Sequence, residues 1–172
     1  MLILKFQEGS QECLEDLFER YRDPIYGFFR RRVWPDGRAE ELAQETWVAV
    51  IRGIVRYEPR ALFRTYLYGI AFKLLTDERR RQARNKKTTT GREPSTGESV
   101  ELAFQARDAL EKLDVADREI IMLREYEQLS YSEIAELLRM PLNTVRTRLF
   151  RARIALKRLM EPETNSAAVE EA

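Results

Sequence analysis

Seven cations, Arg139, Arg146, Arg148, Arg151, Arg153, Lys157 and Arg158, crowd the stretch "RMPLNTVRTRLFRARIALKRLM", and no acid stands between Glu136 and Glu161. The whole chain carries a formal net charge of only +1, so this local excess calls for a partner outside the chain. Side chains set about 100° apart on a helix gather Val145, Leu149, Ala152, Leu156 and Leu159 on one face, toward a core. Thr147, Arg151 and Arg158 point the opposite way, with Thr144 and Arg148 on one shoulder and Arg146 and Arg153 on the other. Hydroxyls and guanidiniums thus meet at the outward amino-terminal end, which is the end a recognition helix presents to base edges in the major groove. Arginine can meet guanine through two hydrogen bonds, and the threonine methyl can meet a thymine methyl. The bland alternative is a solvated amphipathic helix, but such a helix interleaves Glu with Arg at helical spacing, and this one holds none. Duplex DNA is the expected partner, with Arg148 and Thr147 at base edges and Arg153 and Ser130 at phosphates.

The element before it must position that helix. In "LSYSEIAELL", Ser130 is a helix cap and Glu133, three residues on, completes a capping-box pattern. Ile134, Leu137 and Leu138 form a short apolar face, and "RMPLN" interrupts the helix before it resumes. Two short helices around a tight turn are a helix-turn-helix candidate, preceded by helices that carry Leu110, Leu113, Ile120, Ile121 and Leu123.

A second cationic surface is expected between Phe63 and Arg84. Leu67, Ile70, Ala71 and Leu74 share the predicted buried stripe, and Tyr66, Lys73, Asp77, Arg80 and Arg84 line a stripe beside it. A further flank holds Tyr68, Phe72 and Arg79, so rings and cations are predicted to alternate over the exposed surface. That suits single-stranded nucleic acid, whose bases stack on rings at roughly 1 to 3 kcal/mol each while cations follow the phosphates. The alternative for "ERRRQAR" is a solvated helix end whose cations face the carboxyl-terminal dipole.

The rest of the chain sets the frame. A third of the residues are charged, 34%, with only seven Gly and six Pro, which favours long solvated helices over strands and turns; an all-α chain is expected. There is no histidine and one cysteine, Cys13, so a zinc site, a Ser-His-Asp triad and a disulfide are excluded by inventory. Most catalytic chemistries are thereby removed, and no cofactor is expected. No signal peptide and no run of 18 or more apolar residues is visible, so no membrane insertion and a cytoplasmic place are expected. "NKKTTTGREPSTGES", residues 85–99, cannot supply an apolar face and reads as a flexible linker; "PETNSAAVEEA" reads as a frayed tail. In the first half, Leu14, Leu17, Phe18 and Tyr21 mark one helix face and Leu42, Trp47, Val50, Ile51 and Ile54 another. Pro24, Pro35 with Gly37, and Pro59 fall where helices could start, stop or bend.

From Phe6 to Met160 the chain resembles the sigma factors of bacterial RNA polymerase, specifically the extracytoplasmic function (ECF) group of the sigma-70 family. "FQEGSQECLEDLFERYRDPIYGFFRRRV" is similar to the opening helix pair of the family's region 2, "AEELAQETWVAVIRG" to its polymerase-binding segment, and "FRTYLYGIAFKLLTDERRR" to its promoter-melting and minus 10 segment. The stretch from "ALEKLDVADREIIML" through "RLFRARIALKRL" is similar to region 4, which reads the minus 35 element. The resemblance implies two small helical domains, over residues 1–84 and 100–160, joined by the linker 85–99 and followed by a tail, 161–172. It implies that Glu41, Gln44, Glu45 and Arg52 meet core polymerase. It implies a minus 10 set of Arg60, Arg64, Tyr66, Lys73, Asp77, Arg80, Arg81 and Arg84. Its minus 35 set is Ser130, Tyr131, Asn143, Thr144, Arg146, Thr147, Arg148, Arg151 and Arg153. The partners implied are core RNA polymerase, promoter DNA as duplex and melted strand, and an anti-sigma factor of the kind that restrains this group. Three positions depart from the pattern: Tyr66 where Trp is frequent, Lys73 where Asn is frequent, and Arg139 where the turn often has Gly. A stand-alone helix-turn-helix regulator, a helical competitor for a sigma-binding surface and a nucleic-acid enzyme are the alternatives, the last opposed by the lack of a Gly-rich phosphate loop.

Overall fold

The computed structural model describes residues 11–54, 57, 62–85 and 98–161, with side chains described for 12–54, 57, 62–84 and 105–161. Among the described residues there are seven helices and no strand: α1 (Gln11–Arg30), α2 (Asp36–Gly53), α3 (Phe63–Asn85), α4 (Glu98–Lys112), α5 (Val115–Glu125), α6 (Tyr131–Leu138) and α7 (Leu142–Met160). The chain divides into two compact units, Met1–Arg92 and Glu93–Ala172. Most of the expected linker and of the tail lies outside the described residues, although α3 and α4 take in the linker's first residue and last two. No described helix is long and apolar enough to cross a membrane.

In the first unit, α1, α2 and α3 pack on one another. The helix α1 runs through Pro24, although that residue cannot donate to the preceding turn. Pro24 is exposed, so water can reach the carbonyl it leaves free, and the expected helix pair is a single helix over the described residues. Cys13, Leu17, Ile25, Phe28 and Phe29 are its buried face. Phe18, expected on that face, is 41% exposed, its ring centroid 5.0 Å from that of Trp47 in an edge-to-face contact. On α2 the buried side chains are Ala39, Leu42, Ala43, Thr46, Trp47 and Val50. Ile51, expected among them, sits about 100° from the centre of that face and is 48% exposed.

The buried stripe of α3 is turned from the expected one by about 60°. Leu67, Tyr68, Ala71, Leu75 and Glu78 are buried, and Ile70 and Leu74 are only half-buried. Contact with α1 draws Tyr68 inward, its ring centroid 5.8 Å from that of Phe28. Tyr68 therefore does not belong to an exposed ring-and-cation flank. At the start of α3 an aromatic cluster ties it to α1 and to the segment after α2: Tyr21 to Phe63 at 5.7 Å, Phe63 to Tyr66 at 6.4 Å, and Tyr66 to Tyr57 at 4.7 Å between centroids. Gly53, the last residue of α2, makes room for it. A methyl group at position 53 would lie 2.6 Å from the Tyr66 hydroxyl oxygen, with Cζ at 3.9 Å.

The second unit is built around α7, which packs on α4, α5 and α6. Ile120, Ile121, Met122 and Leu123 of α5, Leu129, Ile134 of α6, and Val145, Leu149 and Ala152 of α7 form the core with Ala109, Leu110 and Leu113. Of the expected stripe of α7, Leu156 is half-buried and Leu159 is 42% exposed, because the last turn, Met160 included, lies beyond what the other helices cover. Asp114 caps α5 by accepting from the Ala116 amide at 3.0 Å. Ser130 and Glu133 form the complete capping box of α6: the Glu133 amide donates to Ser130 Oγ at 3.2 Å and the Ser130 amide to Glu133 Oε2 at 2.8 Å.

The turn between α6 and α7 is closed by Arg139 in the left-handed region, φ 52° and ψ 47°, with its amide bonded back to Ala135 and Glu136 carbonyls. A side chain in that conformation costs roughly 1 to 2 kcal/mol, which the hydrogen bonds and the packing of both helices hold in place. Arg139→Gly should remove that cost, and part of the gain is offset by the freer unfolded chain. The second unit should gain about 1 kcal/mol and its calorimetric transition should rise by a few degrees, whereas Arg139→Ala should bring no gain; a lower transition for the glycine variant contradicts the strain. For the first unit, Gly53→Ala should cost about 1 to 3 kcal/mol by overpacking, read as a lower melting temperature. Tyr66→Phe in the same chain deletes the one atom the methyl meets and should restore most of the loss. If the double variant melts no higher than Gly53→Ala, the hydroxyl is not the obstacle.

Candidate nucleic-acid interface

The capped α6 and the Arg139 turn set α7 with one side on the core and the other in solvent. Asn143, Arg146, Thr147 and Arg151 are exposed on the outer side, and Thr144 and Arg148 are half-buried at its edge. Asn143 organises the first turn: its carbonyl accepts from Thr147 Oγ1 at 2.9 Å and its side-chain oxygen accepts from Arg146 at 3.3 Å. Cations on the flanks of α7 meet acids. Arg148 lies 3.7 Å from Asp117 of α5. Arg153 donates to Glu125 at 2.6 Å through Nη2 and at 3.2 Å through Nε, and that hydrogen bond holds its guanidinium above the ordinary range. Lys157 lies 3.6 Å from Glu161. On the outward face Arg151 and Arg158 have no ion-pair partner among the described residues.

The expected phosphate contacts look different in this setting. Arg153 is tied to Glu125 and reaches the Tyr131 hydroxyl at 3.5 Å, and Tyr131 in turn carries the Arg124 guanidinium 5.2 Å from its ring centroid. Ser130 spends its hydroxyl oxygen on the α6 cap and lies 3.0 Å from Ser132 Oγ. One residue was not anticipated. Phe150, 67% exposed, stands three residues after Thr147 and four after Arg146, on the same outward side, with Ile154 one turn further, 39% exposed. The signal was in the spacing: an apolar ring on the face opposite Val145 and Leu149 cannot belong to the core stripe.

On α3, Lys73, Asp77, Arg80 and Arg84 are exposed and share one stripe about 60° wide, opposite the buried side. Asp77 pairs with Arg80 at 3.7 Å, so the stripe keeps Lys73 and Arg84 as its unbalanced charges. Tyr66 does not open this stripe as a free ring. It is half-buried in the aromatic cluster, and burial pushes its phenol up. Arg64 is half-buried and is not without a partner. Arg60 lies outside the described residues.

The third group sits on α2. Glu41, Gln44, Glu45 and Arg52 are all exposed on the side away from the core, and with Val48, Ala49, Gly53 and Leu74 they line one shallow groove. Val48 is 44% exposed there, an apolar floor between charged walls. Beneath the acids lies a network that the sequence did not reveal. Arg38 donates through Nη1 to Glu41 Oε2 at 2.7 Å and to Glu45 Oε1 at 2.9 Å. It donates through Nη2 and Nε to Glu78 Oε2 of α3 at 3.0 and 3.1 Å. Glu78 Oε1 accepts from Arg81 at 3.0 Å and from Gln82 at 3.1 Å. Burial pushes the Glu78 carboxyl up, but the hydrogen bonds and charges of Arg38 and Arg81 outweigh that and hold it below the usual carboxylate range. Burial likewise works against the Arg38 charge, and its bonds to Glu41, Glu78 and Glu45 raise it above the ordinary range.

Comparison with known proteins agrees with the two-unit layout. Residues 17–85 match the family model of sigma-70 region 2, and residues 103–156 match that of sigma-70 region 4. The RNA polymerase sigma factor YlaC of Bacillus subtilis is 32% identical over 161 residues, covering 87% of this chain and 93% of its own. CarQ of Myxococcus xanthus, also an RNA polymerase sigma factor, is 32% identical over 163 residues, 91% of this chain and 94% of its own. The ECF RNA polymerase sigma-E factor of Salmonella typhi is 30% identical over 188 residues, 94% of each chain. Among solved structures, CnrH in complex with the cytosolic domain of CnrY superposes with a TM-score of 0.74 at 23% identity, over 95% of this chain and 97% of that one, so the fold is shared. With both regions present in this order and relatives matched along nearly their whole length, the chain belongs to the ECF group of the sigma-70 family of RNA polymerase sigma factors.

Proposed function

We propose that this sigma factor reads its promoter with two surfaces, α7 on the minus 35 duplex and the outer stripe of α3 on the melted minus 10 strand, and holds core RNA polymerase with the exposed side of α2. A sigma factor directs core polymerase to promoters by binding, so no chemical step is asked of it, and it works in the cytoplasm beside its polymerase. The domains follow residues 1–84 and 100–160. The observation that carries the reading is the division of charge on α7: flanking cations are neutralised by Asp117, Glu125 and Glu161, while Arg151 and Arg158 face outward without an acid among the described residues.

On the duplex, Asn143, Arg146 and Thr147 take base edges, with Arg148 aimed by Asp117 and Phe150 offering an apolar edge suited to thymine methyls. Ser130, Tyr131 and Thr144 lie where phosphates pass. On the melted strand, Lys73, Arg80 and Arg84 follow phosphates. Tyr66, Arg64 and Arg81 support that surface from within the unit. Glu41, Gln44, Glu45 and Arg52 meet polymerase through the α2 groove. An anti-sigma protein is the partner proposed for the inactive state; the sigma factor RpoE of Bartonella quintana, similar to this chain in fold with a TM-score of 0.73 at 20% identity over 87% of this chain and 97% of that one, is solved in complex with the anti-sigma factor NepR.

Run-off transcription from genomic fragments tests the reading: discrete transcripts should require both core polymerase and this chain. Tight binding to a duplex site by the chain alone, with no transcript, would instead identify a stand-alone regulator. The division between surfaces is tested with two variants on closed templates and on templates with a preformed bubble across the minus 10 region. Lys73→Ala with Arg80→Ala and Arg84→Ala should impair the closed template and recover much of its yield on the bubble, where unpairing has already been met. Arg151→Ala should recover little, and it should lower the salt slope of duplex binding by about one unit. Equal recovery by both variants sinks the division.

A further inference from the structure

We propose that Arg38 is a positioning residue for polymerase binding, a fork that anchors to Glu78 of α3 and presents the carboxylates of Glu41 and Glu45 in one fixed arrangement on α2. This rests on the reading of the α2 face as the polymerase contact. The geometry is that of a strut. Two nitrogens of the guanidinium are given to Glu78, whose side chain is 3% exposed, and the remaining one is shared between Glu41 and Glu45, whose side chains are 65% and 48% exposed. Glu78 is in turn held by Arg81 and Gln82 from its own helix, so the anchor cannot swing. Each of the two outer carboxylates gives a single oxygen to Arg38. Glu41 Oε1 and Glu45 Oε2 are left without a hydrogen-bond partner among the described residues, available to donors on a partner.

A free glutamate on a helix surface samples many rotamers, and ordering it on binding costs affinity that preorganisation saves. Arg38 orders two of them before polymerase arrives. A planar guanidinium suits this because its donors are set in a fixed fork, whereas an ammonium could satisfy the charge without fixing directions. The opposite role, a mask that competes with polymerase for the same acids, predicts the opposite sign: deleting Arg38 would expose more negative charge and tighten binding to a cationic partner.

The test measures the Kd of core polymerase for the full chain and for Arg38→Gln, for Glu41→Gln with Glu45→Gln, and for all three together, with the melting temperature of each free protein. Expected are a clear loss for the double glutamate variant, a loss of about 3- to 10-fold for Arg38→Gln, and a triple variant no weaker than the double one, because a positioning residue has nothing to position once the carboxylates are gone. A merely structural role would multiply the losses, and that result overturns the proposal, as does unchanged or tighter binding by Arg38→Gln. If the double glutamate variant binds at wild-type strength, the α2 assignment itself has failed and the proposal goes with it. Should Arg38→Gln fail to fold, Glu78→Gln takes its place in the same cycle: it frees the fork from α3 while leaving Arg38 on the outer acids. A loss that vanishes in the glutamate background supports the strut; wild-type binding, or a loss that multiplies, overturns it.

Discussion

A cation serves a polyanion most fully where the fold withholds an acid from it. In a chain that is nearly neutral overall, with 30 Lys and Arg against 29 Asp and Glu, this is a strict constraint, and both units meet it by segregating charge across helices. The core of the second unit brings Asp117 and Glu125 beside the shoulders of α7, where they orient Arg148 and hold Arg153. In the first unit Glu78, buried under α2, gathers Arg38 and Arg81 and leaves the outer stripe of α3 with Lys73 and Arg84 in excess. Exposed surface pairs add little stability. Their effect here is on shape: they decide which guanidiniums are fixed in place and which remain for a ligand.

The same constraint orders the apolar contacts. Each interface helix needs a narrow buried stripe so that the opposite side stays free. On α7 Val145, Leu149 and Ala152 are fully buried within one face, and the amino-terminal cap of α6 with the left-handed Arg139 fixes how that helix leaves the turn. On α3 the stripe through Leu67, Ala71 and Leu75 does the same. The aromatic cluster at Tyr66 sets the start of α3 against the end of α2.

What the sequence made legible was what depends on neighbours within a turn or two. The all-helical class, the capping box at Ser130 and Glu133, the turn around Met140 and the inner face of α7 as far as Ala152 follow from local periodicity and cap chemistry, and the structure has them. Family resemblance ordered the two units. The misses are decided by packing between helices. Tyr68 and Leu75 displaced Ile70 and Leu74 from the core because α1 covers that flank of α3, and Ile51 and Leu159 are exposed because none of the described helices covers theirs. No spacing rule links Arg153 to Glu125, 28 residues away, or Arg38 to Glu78, 40 residues away. Only the folded neighbours show that a cation in a basic run already has its counter-charge.

The close approach of Gly53 to Tyr66 also limits the order in which this chain can drift over generations. Among the described residues, a Cβ at position 53 meets one hydroxyl oxygen at clash distance and no other atom so closely. A lineage that first loses that oxygen, by a Tyr to Phe change at 66, avoids the clash and can then accept a methyl at 53. A lineage that changes 53 first must pass through an overpacked one. The two positions, thirteen residues apart on different helices, are thus inherited as a pair with a preferred direction of change, and the ratchet sits on a single atom.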